Sequence, residues 1–229
     1  MAIKLVVFDM AGTTVVDRNF VGEAFSKAMR QHGYDVPDHR INPIMGYEKP
    51  VAIRMLLNDL DGTAEQVTDA LVSEIHEDFV RNMKEFYLSY QPEALPGVED
   101  VFAVLRENGV RIALNTGFSR DIADIIIERL NWSDKVDLVV ASDEVEQGRP
   151  APFMIRKIMG ELGIENADEV AKVGDTEVDI NEGINAGCKY IIGVTSGSFT
   201  RQELEPYQPT HIVDHVSEVL DIVLENQEA

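Results

Sequence analysis

The sequence predicts an α/β protein: a doubly wound parallel sheet whose first strand is followed by an inserted α-helical cap domain. Three observations carry that prediction. The run from Ile3 to Phe8 is continuously apolar, as in a strand covered on both faces. Residues 16–90 hold helical patterns and no convincing strand. From residue 98 onward helices and strands alternate, which implies right-handed crossovers between parallel strands.

Each element has its own signal. Phe20, Ala24, Phe25, Ala28 and Met29 have helical spacing, and Gly33 follows, so a helix is expected over Phe20–His32. Val51–Leu60 and Ala64–Tyr87 also read as helices, the second carrying Leu71, Ile75, Phe79 and Met83. The stretch Gln91-Pro92-Glu93-Ala94-Leu95-Pro96-Gly97 is a proline-rich joint. Beyond it come helix Val98–Asn108, strand Val110–Asn115, helix Arg120–Leu130 and strand Leu138–Ala141. Helix Pro152–Leu162, strand Val170–Val173, helix Asp179–Ala186 and strand Tyr190–Val194 complete the pattern. The first strand has no other partner and joins the same sheet. The core is therefore expected at 1–15 and 91–229, and the cap at 16–90.

Composition narrows the function. Of 229 residues, 20 are Lys or Arg and 41 Asp or Glu, a net charge of −21. So acidic a surface repels phosphate backbones and anionic lipid, and neither nucleic acid nor membrane is expected as a partner. Apolar runs are short, and the start MAIKLVVFD has no leader-like segment. The single cysteine, Cys188, excludes an intrachain disulfide and fits a reducing, cytoplasmic setting.

Ligands of open parallel sheets bind at the carboxyl ends of the strands. Those ends carry Asp9, then Asn115-Thr116-Gly117, then the loop Gly148-Arg149-Pro150, then Gly174-Asp175-Thr176 with Asp179 one turn on. A carboxylate nucleophile, a hydroxyl, a cation and further acids suit phosphoryl transfer. Asp9 can attack phosphorus, and Asp9 with Asp175 can hold Mg²⁺ through oxygen. Thr116 and the Gly117 amide can bind a phosphoryl oxygen, while Arg149 neutralises charge growing in the transition state. Each residue alone has a plainer explanation, as a turn former, a solvated loop charge or a helix cap. Their joint appearance on successive strand ends does not.

With Asp9-Met10-Ala11-Gly12-Thr13 as the first motif, the set resembles the haloacid dehalogenase superfamily of hydrolases, with a Rossmann-like core and a helical cap after the first strand. The resemblance implies Asp9 as nucleophile and Mg²⁺ held by Asp9, the Ala11 carbonyl and Asp175, with Asp179 in support. It also implies that Gly12, Thr13, Gly117 and Arg149 contact the substrate.

Most phosphatases of that superfamily carry a second Asp two residues after the nucleophile, which protonates the leaving oxygen. Here that residue is Ala11. General acid–base help is worth roughly 10²–10⁴ in rate, so its loss needs an explanation. Met45-Gly46 makes a break in the cap, and Lys49 then stands before a helix that Pro50 can start. A lysine in such positive surroundings has a depressed pKa and can form an imine with a carbonyl. A protonated imine is an electron sink, so a carbon leaving group departs without an acid at position 11.

Asp9 to Thr14 together with Met45 to Lys49 is similar to the phosphonoacetaldehyde hydrolases, whose cap lysine forms a Schiff base. That resemblance adds Lys49 to the catalytic residues, Met45 to the substrate-binding ones and a homodimer through the cap. It expects a small phosphonate or phosphorylated substrate. Four positions depart from that family's pattern: Met10 for Trp, Asn19 for Cys, Ala52 for His, and Phe118 for an aromatic bearing a hydroxyl. Two alternatives stay open. One is a phosphate-ester phosphatase in which Lys49 only binds substrate, and the other a non-catalytic binding protein on a hydrolase scaffold. Arg54 is a weaker second anion-binding candidate.

Overall fold

The computed structural model describes residues 1–61 and 67–225. Strands β1 (Leu5–Asp9), β2 (Arg111–Thr116), β3 (Leu138–Ala141), β4 (Val170–Gly174), β5 (Tyr190–Val194) and β6 (His211–Val213) form one parallel sheet. Its order is β3-β2-β1-β4-β5-β6. The chain winds outward from β1 through β2 and β3, then returns to the other side of β1 as β4. That reversal leaves a crevice at the carboxyl ends of β1 and β4.

Side-chain alternation assigns the two faces. Val6, Phe8, Ile112 and Leu114 pack into one apolar cluster, and Leu5, Val7, Ala113 and Val140 into the other. All of β1 is buried, which explains why its sequence is apolar without interruption.

Between β1 and α5 (Val98–Glu107) the described residues form the α-helices α1 (Phe20–Gln31), α2 (Asp38–Ile41), α3 (Lys49–Asp61) and α4 (Asp69–Ser89). The two connections into and out of this helical segment run antiparallel, bridging at Val15 and Ala94. Val16 N donates to Glu93 O at 2.9 Å and Leu95 N to Thr14 O at 2.9 Å. The segment's apolar faces belong to the same cluster as Phe8 and Leu114.

Helices α6 (Arg120–Leu130), α7 (Phe153–Leu162), α8 (Glu177–Ala186), α9 (Arg201–Leu204) and α10 (Val219–Leu224) complete the described residues. The expected α6, β3 and β5 have the bounds the sequence predicts, and the other expected ends lie within a few residues of them. The helix expected from Ala64 begins at Asp69, because Thr68 caps it: its hydroxyl accepts Leu71 N at 3.2 Å. The first part of that expected helix, residues 64–66, lies outside the described residues. The pattern passed over α2, α9, α10 and β6. The last is a three-residue edge strand with an exposed His211, too short for a period. Among the described residues no helix is long and apolar enough to cross a membrane.

Candidate active site

The register sets Asp9 beside Asn115 and Phe8 beside Val173, so the ends of β1, β2 and β4 lie level. Asp9, Asp175 and Asp179 converge there, each buried, with one carboxylate oxygen of each within 4.8 Å of the others. The turn after β1 needs glycine. Gly12 has φ of +86°, and a Cβ on it would meet Asp175 Oδ2 at 2.6 Å. Thr13 Oγ1 donates to Asp175 Oδ1 at 3.0 Å, and Ser198 N to Asp175 Oδ2 at 2.7 Å.

Arg149 knits the acids together. Its Nη1 donates to Asp9 Oδ1 at 2.7 Å and also to Asp179 Oδ1. The other Asp179 oxygen accepts Thr176 Oγ1 at 2.6 Å and Thr176 N at 3.2 Å. Arg149 Nε is buried with no partner among the described residues, a donor left for a ligand oxygen. Thr116 Oγ1 accepts Phe118 N at 3.1 Å, which leaves its O–H proton available to donate. A Cβ on Gly117 would press on Arg149 Nη2 and on the Gly46 and Tyr47 carbonyls.

Beneath this layer lies a buried polar group that motif reading passed over. Lys172 Nζ donates to Asn115 Oδ1 at 2.6 Å and pairs with Asp179 at 3.0 Å and Glu182 at 3.3 Å. Asn115 Nδ2 donates to both Glu182 oxygens, at 2.9 and 2.8 Å. The one signal in the sequence was a lysine inside the strand Val-Ala-Lys-Val-Gly, where solvent cannot reach it.

Electrostatics divides the acids. Burial raises Asp9 and Asp175; Arg149 opposes it in part at Asp9, and neighbouring carboxylates push both acids up. Burial also works against Asp179, but Arg149 and Lys172 outweigh it and hold Asp179 down at about 2. Asp9 and Asp175 are thus a strained pair that a hard divalent cation, taking oxygen ligands, would relieve. The Ala11 residue lines the same cavity.

Lys49 comes from the first turn of α3 to the same cavity, shared with Asp9, Ala11, Met45, Thr116, Gly117, Arg149 and Asp175. It is only 3% exposed. Nζ donates to the Met45 carbonyl at 2.5 Å and the Tyr47 carbonyl at 3.1 Å, and lies 5.9 Å above the Phe118 ring. Burial first, and the charge of Arg149 second, push its pKa down to about 7. Gly46 lets this loop meet the sheet: a Cβ there would strike Thr176 Oγ1 and Val178. The cavity is only about 20 Å³, room for about a water molecule. Arg54 lies elsewhere, bonded to Val67 O and Asp69.

A family model for haloacid dehalogenase-like hydrolases matches residues 3–187. The chain belongs to the haloacid dehalogenase-like hydrolases. Among these hydrolases it is similar to the phosphonoacetaldehyde hydrolase of Bacillus cereus strain B4264, with 32% identity covering 99% of this chain and 90% of the relative. A hydrolase from Pseudomonas syringae superposes with a TM-score of 0.85 at 20% identity, covering 99% of both chains. A phosphonoacetaldehyde hydrolase-like protein from Oleispira antarctica superposes with a TM-score of 0.81 at 22% identity, covering 98% of this chain and 92% of the other. These two likenesses concern the fold.

Proposed function

We propose that this haloacid dehalogenase-like hydrolase releases phosphate from a small phosphonate bearing a carbonyl group, with Asp9 as nucleophile and Lys49 as imine former. The observation that carries this reading is the buried Lys49 amine in one cavity with Asp9 and with an alanine at position 11. The 32% identity to a phosphonoacetaldehyde hydrolase supports it. Residues 16–90 act as the cap that brings Lys49 over the sheet.

In this reading Lys49 joins the aldehyde carbon as an imine, and the carbon leaving group departs as an enamine. Asp9 Oδ attacks phosphorus as the P–C bond breaks, and water then frees phosphate from the acyl phosphate. Thr116 O–H, the Gly117 amide and Arg149 hold the phosphoryl oxygens in line with Asp9. Asp9, Asp175 and the Ala11 carbonyl would hold Mg²⁺. When bound, that ion would neutralise charge on the phosphoryl oxygens. Asp179 supports this set chiefly by fixing Arg149, because one of its oxygens is committed to Arg149 and Lys172. Gly12 and Thr13 shape the turn under the phosphoryl site and place Asp175.

A second reading has its own observation. The position after Lys49 where a histidine stands in phosphonoacetaldehyde hydrolases is Ala52, fully buried. The lysine then serves as a clamp for the anion of a small phosphate ester. Borohydride added with phosphonoacetaldehyde separates the two. An adduct on Lys49 together with released phosphate supports the first reading, and the absence of both removes it. Ala11→Asp is expected to lower phosphate release from the phosphonate, whereas the clamp reading expects it to raise turnover of a generic ester.

A further inference from the structure

Imine formation needs a group that moves protons between nitrogen and oxygen. At the positions where phosphonoacetaldehyde hydrolases carry a histidine, a cysteine and an aromatic hydroxyl, this chain has Ala52, Asn19 and Phe118. Asp17, which belongs to none of the motifs, lines the catalytic cavity with Lys49, Asp9 and Arg149. It also lines an adjoining cavity of about 250 Å³ with Gly12, Asn19 and Asn42. Half-buried on the connection into α1, it accepts Phe20 N through Oδ1 at 2.8 Å. Its charge acts on Lys49, and that of Lys49 on it.

We propose that Asp17 carries protons for the Lys49 amine, a role that rests on the imine reading above and assigns this chain small carbonyl-bearing phosphonates by a proton path of its own. Asp17 and Lys49 line one cavity without a direct ion pair, so the Lys49 ammonium passes one proton to the Asp17 carboxylate through a water between them. The neutral amine attacks the carbonyl carbon, a C–N bond forms, and the C=O electron pair moves to oxygen. Asp17 gives its proton to that oxygen, then takes a second proton from the cationic nitrogen. As C–O breaks and the nitrogen lone pair makes C=N, that proton goes to the departing hydroxyl. Three N–H protons end as one on the iminium nitrogen and two in water. Asp17 is again a carboxylate.

The test is the rate of borohydride trapping with phosphonoacetaldehyde, read by intact mass on the full chain. Asp17→Asn keeps an oxygen for the Phe20 amide, so the cap of α1 survives. We expect a Lys49 adduct in the wild type and trapping slowed by roughly 10²-fold or more in Asp17→Asn. In Asp17→Ala, added formate is expected to restore part of the rate, which a purely structural role for Asp17 does not allow. Trapping of Asp17→Asn at the wild-type rate, or absence of formate rescue, overturns the role of Asp17 alone. No adduct in the wild type overturns the imine reading and the Asp17 role with it.

Discussion

Arg149 Nη1 reaches Asp9 Oδ1 at 2.7 Å although 140 residues separate them in the chain. The same nitrogen bonds Asp179, so one guanidinium ties the end of β1 to the first turn of α8. It therefore holds buried acids together, and in the proposed reaction it also meets charge on the phosphoryl group.

Arg149→Ala is expected to cut phosphate release by roughly 10²–10³-fold, as when a charge-stabilising donor is lost. It is also expected to cost about 3–5 kcal/mol of stability, because Asp9 and Asp179 lose a buried partner. Phosphate release and denaturant titration measure the two effects separately. An unchanged kcat removes the guanidinium from the chemistry.

Lys172 carries the layer below. Lys172→Met leaves Glu182 without its paired cation and Asp179 with Arg149 alone, with an expected loss of about 3–5 kcal/mol. Adding Glu182→Gln to that variant is expected to recover part of it, since the uncompensated charge goes too. A double-mutant cycle by chemical denaturation reads the coupling. Strict additivity denies the pair.

Gly46 sets how near the helical segment approaches the sheet. Gly46→Ala puts a methyl against Thr176 and Val178. We expect kcat/KM to fall by about 10²-fold, the scale of a misplaced catalytic group, with little change in melting temperature. A large stability loss with normal kcat/KM on the surviving fraction contradicts this.

The pH dependence follows from Lys49. Its pKa is lowered from 10.5 to about 7, and in the proposed reaction the neutral amine attacks the carbonyl. Trapping is therefore expected to rise as pH climbs through about 7 and then level off, rather than climb on toward 10.5. The stability contribution has the same sign. Between those two values the unfolded chain binds a proton that the folded chain refuses, so stability rises with pH and is lost as pH falls to about 7. A trapping profile that keeps rising past pH ~9, in the manner of an ordinary lysine, excludes this amine.

Much of this was legible along the chain. Val6, Val7 and Phe8 are apolar without a break because helices cover both faces of a parallel strand, and that pattern survives in any window. Asp9, Thr116, Arg149 and Asp175 were legible because strand ends meet at one edge. Lys172 and Glu182 were not, since a lysine in a strand has meaning only once its partners on β2 and α8 are known. Asp17 was hidden for the same reason: locally it is a helix-capping acid. The edge strand β6 lacked the length to show a period.

By itself the sequence determined the α/β class with a parallel sheet, the helical segment after β1 and which candidate residues stand at the strand ends. Local periodicity and strand-end placement encode these directly. Only the tertiary structure decided that Lys49 stands over the Asp9 edge, that Arg149 joins two acids, and that Asp17 opens onto the same cavity. Those relationships depend on how the helical segment packs against the sheet. That packing is a sum of many long-range contacts, which no single stretch of sequence contains.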